Sequence, residues 1–81
     1  MTWILLRADG TVIVVHSWHR KESAARKEAA RAMRDPYWKL FQFELWSAPW
    51  SMGYYDKNVV DRVAWLAVMK RLGMKREVLN T

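Results

Sequence analysis

The chain has no cysteine, and only two prolines, three glycines and two histidines among its 81 residues. Without cysteine there is no disulfide and no thiolate metal site. Three scattered glycines make no phosphate-cradling loop, and neither a nucleophile elbow nor a pair of carboxylates with a positioned base is present. His16 and His19 are three apart, a spacing that suits zinc on a helix. Here they fall on a strand end and its link, with no cysteine or carboxylate pair nearby to complete a site. No stretch approaches the roughly 18 apolar residues of a membrane span, and no charged segment precedes an apolar run at the N-terminus. These absences predict a non-enzymatic, cytoplasmic protein without metal, cofactor or membrane anchor.

What the chain does have is rings and positive charge. Six tryptophans, three tyrosines and two phenylalanines compensate for the thin core of so short a chain. Fourteen basic residues against eight acidic ones give a net charge of +6. Residues 20–34 carry six of the basic residues and two of the acidic ones. Concentrated charge of this sign favours an acidic protein face, nucleic acid or another anionic surface.

The order of elements reads β-β-α-β-α in one α+β domain, with a three-stranded, mostly antiparallel sheet in a two-layer arrangement. Two β-branched and aromatic runs flank Asp9-Gly10 and predict a hairpin over 2–18 with a tight turn at that pair. Pairing across that turn puts Ile4, Leu6, Ile13, Val15, Thr2 and Ser17 on one face, the better core. A second, mixed face takes Trp3, His16 and Trp18. Residues 20–34 predict a helix whose Ala25, Ala29, Ala32 and Met33 form a narrow stripe suited to the first face. Asp35-Pro36 ends it. Alternation predicts a third strand over 37–46, beside the first, with Tyr37, Lys39, Phe41, Phe43 and Leu45 inward. Residues 47–55 read as an aromatic loop and 56–72 as a helix with Asp56 as N-cap and Gly73 as its stop. Residues 73–81 read as a short frayed tail.

Three surfaces are candidates for contact. Arg20, Lys27, Arg31 and Arg34 share one side of the first helix, opposite the alanine stripe. They serve either as a phosphate- or carboxylate-binding face or as a solvated one, with Glu22–Arg26 and Glu28–Arg31 as local pairs. Trp3, Trp18, Trp38, Trp46, His16, Gln42 and Glu44 can share the mixed sheet face, as a stacking platform or as core beneath the second helix. A His16–Glu44 hydrogen bond there would be structural. Finally, Trp50, Met52, Tyr54 and Tyr55 crowd an uncharged loop, and the helix that follows is apolar nearly all round, Trp65 included. Such a helix needs cover on more than one side.

Two functions follow. A protein-interaction module would bury the apolar side of 56–72 and the loop 48–55 against a partner or a second copy in a homodimer. The basic helix would select an acidic protein surface or a nucleoprotein complex. The alternative is a nucleic-acid-binding domain that lays helix 20–34 along phosphates and adds aromatic stacking. In size, charge and layout the chain resembles small accessory proteins of phages and mobile elements. Some of those, such as the anti-CRISPR proteins, inhibit host defence complexes. That resemblance implies a host-cytoplasmic inhibitor, and it covers no motif.

Overall fold

The structure, a computed structural model, describes residues 1–10, 12–49 and 59–79, without the side chains at 12, 39, 59–65 and 68. Its elements are strands β1 (Thr2–Asp9) and β2 (Val12–His19), helix α1 (Glu22–Arg34), a 3₁₀ turn (Trp38–Leu40), strands β3 (Gln42–Ala48) and β4 (Val59–Asp61), helix α2 (Arg62–Arg71) and strand β5 (Lys75–Val78). The fold is α+β with an antiparallel sheet and two helices among the described residues. The sheet has five strands, ordered β4-β2-β1-β3-β5, where three were expected. The third strand does lie beside the first.

The hairpin turns one residue later than Asp9-Gly10 suggests. Asp9 faces Val12, and Gly10 takes φ +60°, a conformation glycine adopts without penalty. The pairing shifts by two residues, an even number, so Ile4, Leu6, Ile13 and Val15 still share one face. A bulge then intervenes. Leu6 pairs with Val15 but Leu5 with Ser17, leaving His16 as the extra residue. Beyond it β2 is turned over. Trp18 sits opposite Ile4 on the aliphatic face, and Ser17, expected there, moves to the other side.

Both sheet faces are covered, so the two-layer expectation gives way to helix, sheet, helix. The alanine stripe of α1 is buried as expected, but against the other face, on Leu5 and Phe43. The aliphatic face, with Ile4, Leu6, Ala8, Ile13 and Val15, receives α2 through Leu66 and Met69, and Met74 just beyond the end of the helix. The physical reason lies in the residues each face holds. His16 needs a neighbour with a polar end, which α1 supplies through Glu28. The face built on Ile4, Leu6, Ile13 and Val15 suits the more apolar helix. The tryptophans, expected together, are divided: Trp46 and Trp18 lie with the α2 layer, Trp38 with the α1 layer.

Three element boundaries are corrected. The third strand begins at Gln42, because residues 37–40 turn instead of extending. The Tyr37 amide donates to Asp35 Oδ1 at 2.8 Å, and the Phe41 amide to the Trp38 carbonyl at 3.0 Å. In a 3₁₀ turn residues three apart eclipse, which brings Trp38 and Phe41 to one side, ring centroids 5.9 Å apart. The second helix begins at Arg62, with the β-branched pair before it paired to β2 as β4. The tail is not frayed over 75–78, where β5 pairs with β3 and the Leu79 amide donates to the Phe43 carbonyl at 3.0 Å.

Gly73 does end α2. Its φ is +75°, its amide donates to the Lys70 carbonyl and the Met74 amide to that of Met69, both at 3.1 Å. These two bonds make a Schellman cap, with Met69 and Met74 in one apolar cluster beside it. A Cβ at Gly73 would meet nothing within 4 Å. Gly73→Ala therefore pays only the left-handed backbone cost, about 1 kcal/mol. Thermal unfolding should show a midpoint lowered by roughly 4–8 °C.

Candidate interaction surface

The outer side of α1 carries the expected charge. Lys27, Arg31 and Arg34 recur at spacings of four and three and are exposed. Arg20, expected on the same helix, lies ahead of its first turn, also exposed. Two cations of the segment are tied to carboxylates. Arg26 bridges Glu22 (2.8 Å) and Glu77 of β5 (2.7 Å), and Arg31 holds both oxygens of Glu28, with its Nε 2.9 Å from Oε2. The two local pairs expected of a solvated face are thus present. Arg34 donates only to the Ala30 carbonyl, at 3.1 Å, and Arg20 and Lys27 form no ion pair among the described residues. Of the four stripe cations only Arg31 is paired with a carboxylate among the described residues; Lys27 and Arg34 are exposed with their charge intact.

Where α1 ends, the chain builds a corner that the sequence reading did not assign. Asp35-Pro36 reverses direction and the 3₁₀ turn projects Tyr37, 64% exposed, and Leu40, 83% exposed. Between them the Trp38 ring is half-buried, edge-on to Tyr37 at 4.5 Å. Arg7, from the middle of β1, lays its guanidinium 3.9 Å from the centre of the Trp38 ring, a cation–π contact. His16, pushed inward by the bulge, meets Trp38 (5.5 Å) and Phe43 (5.6 Å) edge-on. Its Nε2 lies 3.1 Å from Glu28 Oε1. An ionised carboxylate only accepts, so Nε2 carries the proton. The expected His16–Glu44 pairing does not occur, since Glu44 lies on the α2 side of the sheet.

Burial, ahead of the opposing Glu28 bond, holds His16 below its ordinary value and so neutral at pH 7. The Arg31 hydrogen bonds, ahead of the smaller His16 bond, hold the Glu28 carboxyl down to about 2. Both shifts act in one direction on stability. A histidine depressed in the folded state opposes folding as pH falls through its unfolded value near 6.5. A depressed carboxylate gives up its contribution as pH falls from about 4.5 toward 2. Glu28 is a quarter exposed, so solvent screening reduces its share to about 1 kcal/mol. Urea titrations should show stability falling below pH 6.5 and again below 4.5, with Glu28→Gln reducing the second fall, to which Glu77, held down by its Arg26 hydrogen bonds, also contributes.

On the other side of the sheet Glu44 is 1% exposed and fully engaged. Arg76 grips it with two nitrogens at 2.8 Å, Trp46 Nε1 donates at 3.1 Å and Gln42 Nε2 at 3.0 Å. This network is structural: it fastens β5 to β3. A cleft of about 360 Å³ beside it is lined by Trp46, Leu66, Lys70, Met74 and Arg76.

Of the other expected contact residues, Trp50, Met52, Tyr54 and Tyr55 lie outside the described residues, as does the side chain of Trp65 in α2. Among the described residues no cluster of three or more His, Asp or Glu could hold a metal ion, and no helix is long and apolar enough to cross a membrane. The hydroxyl of Ser17 lies 2.8 Å from His19 Nε2, and among the described residues no carboxylate meets the histidine's other nitrogen to orient it. Comparison with protein-family models, with curated proteins and with solved structures yields no match.

Proposed function

We propose that this protein is a non-enzymatic binding module, and that the corner formed by Tyr37, Trp38 and Leu40 with the cationic side of α1 is its contact surface for an acidic protein, free or within a nucleoprotein complex. One observation carries the reading: a leucine 83% exposed stands in a turn beside an exposed tyrosine, directly after a helix whose Lys27 and Arg34 form no ion pair among the described residues. A leucine neither pairs with a phosphate nor stacks on a base. Its place is a hydrophobic pocket of another protein, and Tyr with Arg is the pairing typical of interface hot spots. Lys27 and Arg34 would steer an acidic partner toward that anchor. The Arg7–Trp38 stack favours, more weakly, the second reading, a nucleic-acid strand with a base on the tryptophan.

A pair of probes separates them: a 12-residue peptide of Asp, Glu and Leu, and a mixed-sequence single-stranded oligonucleotide, each titrated at two salt concentrations. Tyr37→Ser and Leu40→Ser should each weaken peptide binding about tenfold and leave the oligonucleotide unaffected. Lys27→Glu with Arg34→Glu should weaken both, since charge alone is removed. Arg31 is left intact because reversing it would also expel Glu28. Tight oligonucleotide binding with a steep salt slope, and none of the peptide, would sink the protein-binding reading.

A further inference from the structure

Arg7 is the anomaly of the α1 layer. Its Nε is buried without a hydrogen-bond partner, and among the described residues the side chain forms no hydrogen bond or ion pair. Its contacts are ring faces: Trp38 at 3.9 Å and Phe41 at 5.7 Å. A guanidinium whose Nε is shut off from water without an acceptor is costly, and folded chains rarely keep one without a use for it. The neighbourhood offers no relief. Glu28 is spent on Arg31 and His16, and Asp35 accepts from the Tyr37 amide. Burial lowers the affinity of Arg7 for its proton, yet a guanidinium stays charged at every physiological pH. What remains is a planar fork, held rigid on a tryptophan, with its donors unclaimed.

We propose that Arg7 is a carboxylate receptor: it takes an Asp or Glu side chain of an acidic protein segment whose neighbouring apolar residue lies on Tyr37 and Leu40. The inference rests on the binding surface proposed above and names the group that the surface selects. A stacked guanidinium matches a carboxylate as a fork matches a fork, with two parallel N–H···O bonds. A phosphate dianion fits less well. The second cation it needs is occupied, since Arg31 is committed to Glu28, and the Glu28 charge itself repels a doubly charged group. His16, neutral, adds nothing to anion affinity.

The test follows the Arg7 Nε–H signal by 15N NMR, assigned by its loss in Arg7→Met. The acidic peptide should shift that signal saturably; the same peptide with Asn and Gln for Asp and Glu should not, and neither should inorganic phosphate at equal concentration. Arg7→Met should bind the acidic peptide at least tenfold more weakly at an unchanged melting temperature. If that variant does not fold, Arg7→Lys, which keeps the charge and loses the fork, should still lose about fivefold. A peptide that binds with full dependence on Tyr37 and Leu40, with the Arg7 signal unmoved and Arg7→Met binding like the parent, overturns the receptor role and leaves the surface standing. No peptide binding at all removes both. An equal response to phosphate overturns the preference for carboxylate, and a response confined to the oligonucleotide overturns the protein segment as occupant.

Discussion

Arg76→Met should cost about 3 kcal/mol of stability, and adding Glu44→Gln to the same chain should restore a good part of it. The prediction turns on which partner of the ion pair is out of water. Glu44 is 1% exposed, whereas the Arg76 side chain is 35% exposed. Removing the arginine takes two charged donors from a buried carboxylate that Gln42 and Trp46 also serve, and breaking a buried pair from that side typically costs about 3–5 kcal/mol. The two remaining donors place the expectation at the low end. Removing the charge of Glu44 instead leaves an arginine that can turn to solvent, so Glu44→Gln alone should cost only about 1–2 kcal/mol. The double variant should therefore be more stable than Arg76→Met by itself. In a chain whose whole stability is about 5–15 kcal/mol, the single change should lower the melting point by more than about 10 °C. Because Glu44 is inside, 1 M salt should not erase the difference. Hydrogen exchange should show the amides of β5 opening first. Simple additivity of the two single changes would mean that Glu44 and Arg76 do not act as a pair.

That network also marks where sequence reading stops. The sequence carries the parity of the hairpin, because alternation survives a two-residue slip of the turn. It carries the alanine stripe of α1 and the glycine stop of α2, because both are local. The basic face is legible for the same reason: Lys27, Arg31 and Arg34 are related by helical spacing alone. What depends on distant partners is not legible. Nothing near Glu44 announces Arg76, 32 positions later, so the tail carrying it looks unattached. Nothing near Trp38 announces Arg7. The bulge at His16 leaves no mark in an unbroken run of strand-forming residues, yet it decides which face receives Trp18 and that His16 meets Glu28. The 3₁₀ turn hides for a different reason. Its apolar residues satisfy a strand's alternation as well as their own spacing of three, and only the Asp35-Pro36 stop just ahead hints that the chain has not yet extended. Which helix takes which face is a choice between two burials of similar size. The polar end of His16, which meets Glu28 of α1, settles it, and composition weighs it too lightly.

Phe43→Ala tests whether the contact corner and the core are one structure. Phe43 has no exposed surface and packs with Leu5, Ala29 and Ala32, its ring against the edge of His16. The layer above it is made of alanines, already in close approach to the sheet. Short side chains fixed on a helix cannot lean in to fill the space a phenyl ring leaves, so the cavity persists and the cost approaches the full value for such a change, about 3–5 kcal/mol. Phe43→Leu keeps most of the volume and should cost less than about 1.5 kcal/mol. The functional consequence is separate from the stability loss. Phe43 backs His16, His16 backs Trp38, and Trp38 is the plate on which Arg7 lies. In the fraction of Phe43→Ala that stays folded, at low temperature and without denaturant, Trp38 should lose its fixed environment. The change should appear as a red-shifted tryptophan emission and weaker near-ultraviolet circular dichroism, with the far-ultraviolet spectrum unchanged. Peptide affinity should fall with it, although Phe43 touches no partner. A variant that loses stability by urea titration but keeps both the tryptophan signal and the affinity of the parent would show that the corner is held by α1 and the 3₁₀ turn alone. The chain of rings from the core to Arg7 would then carry no positioning role.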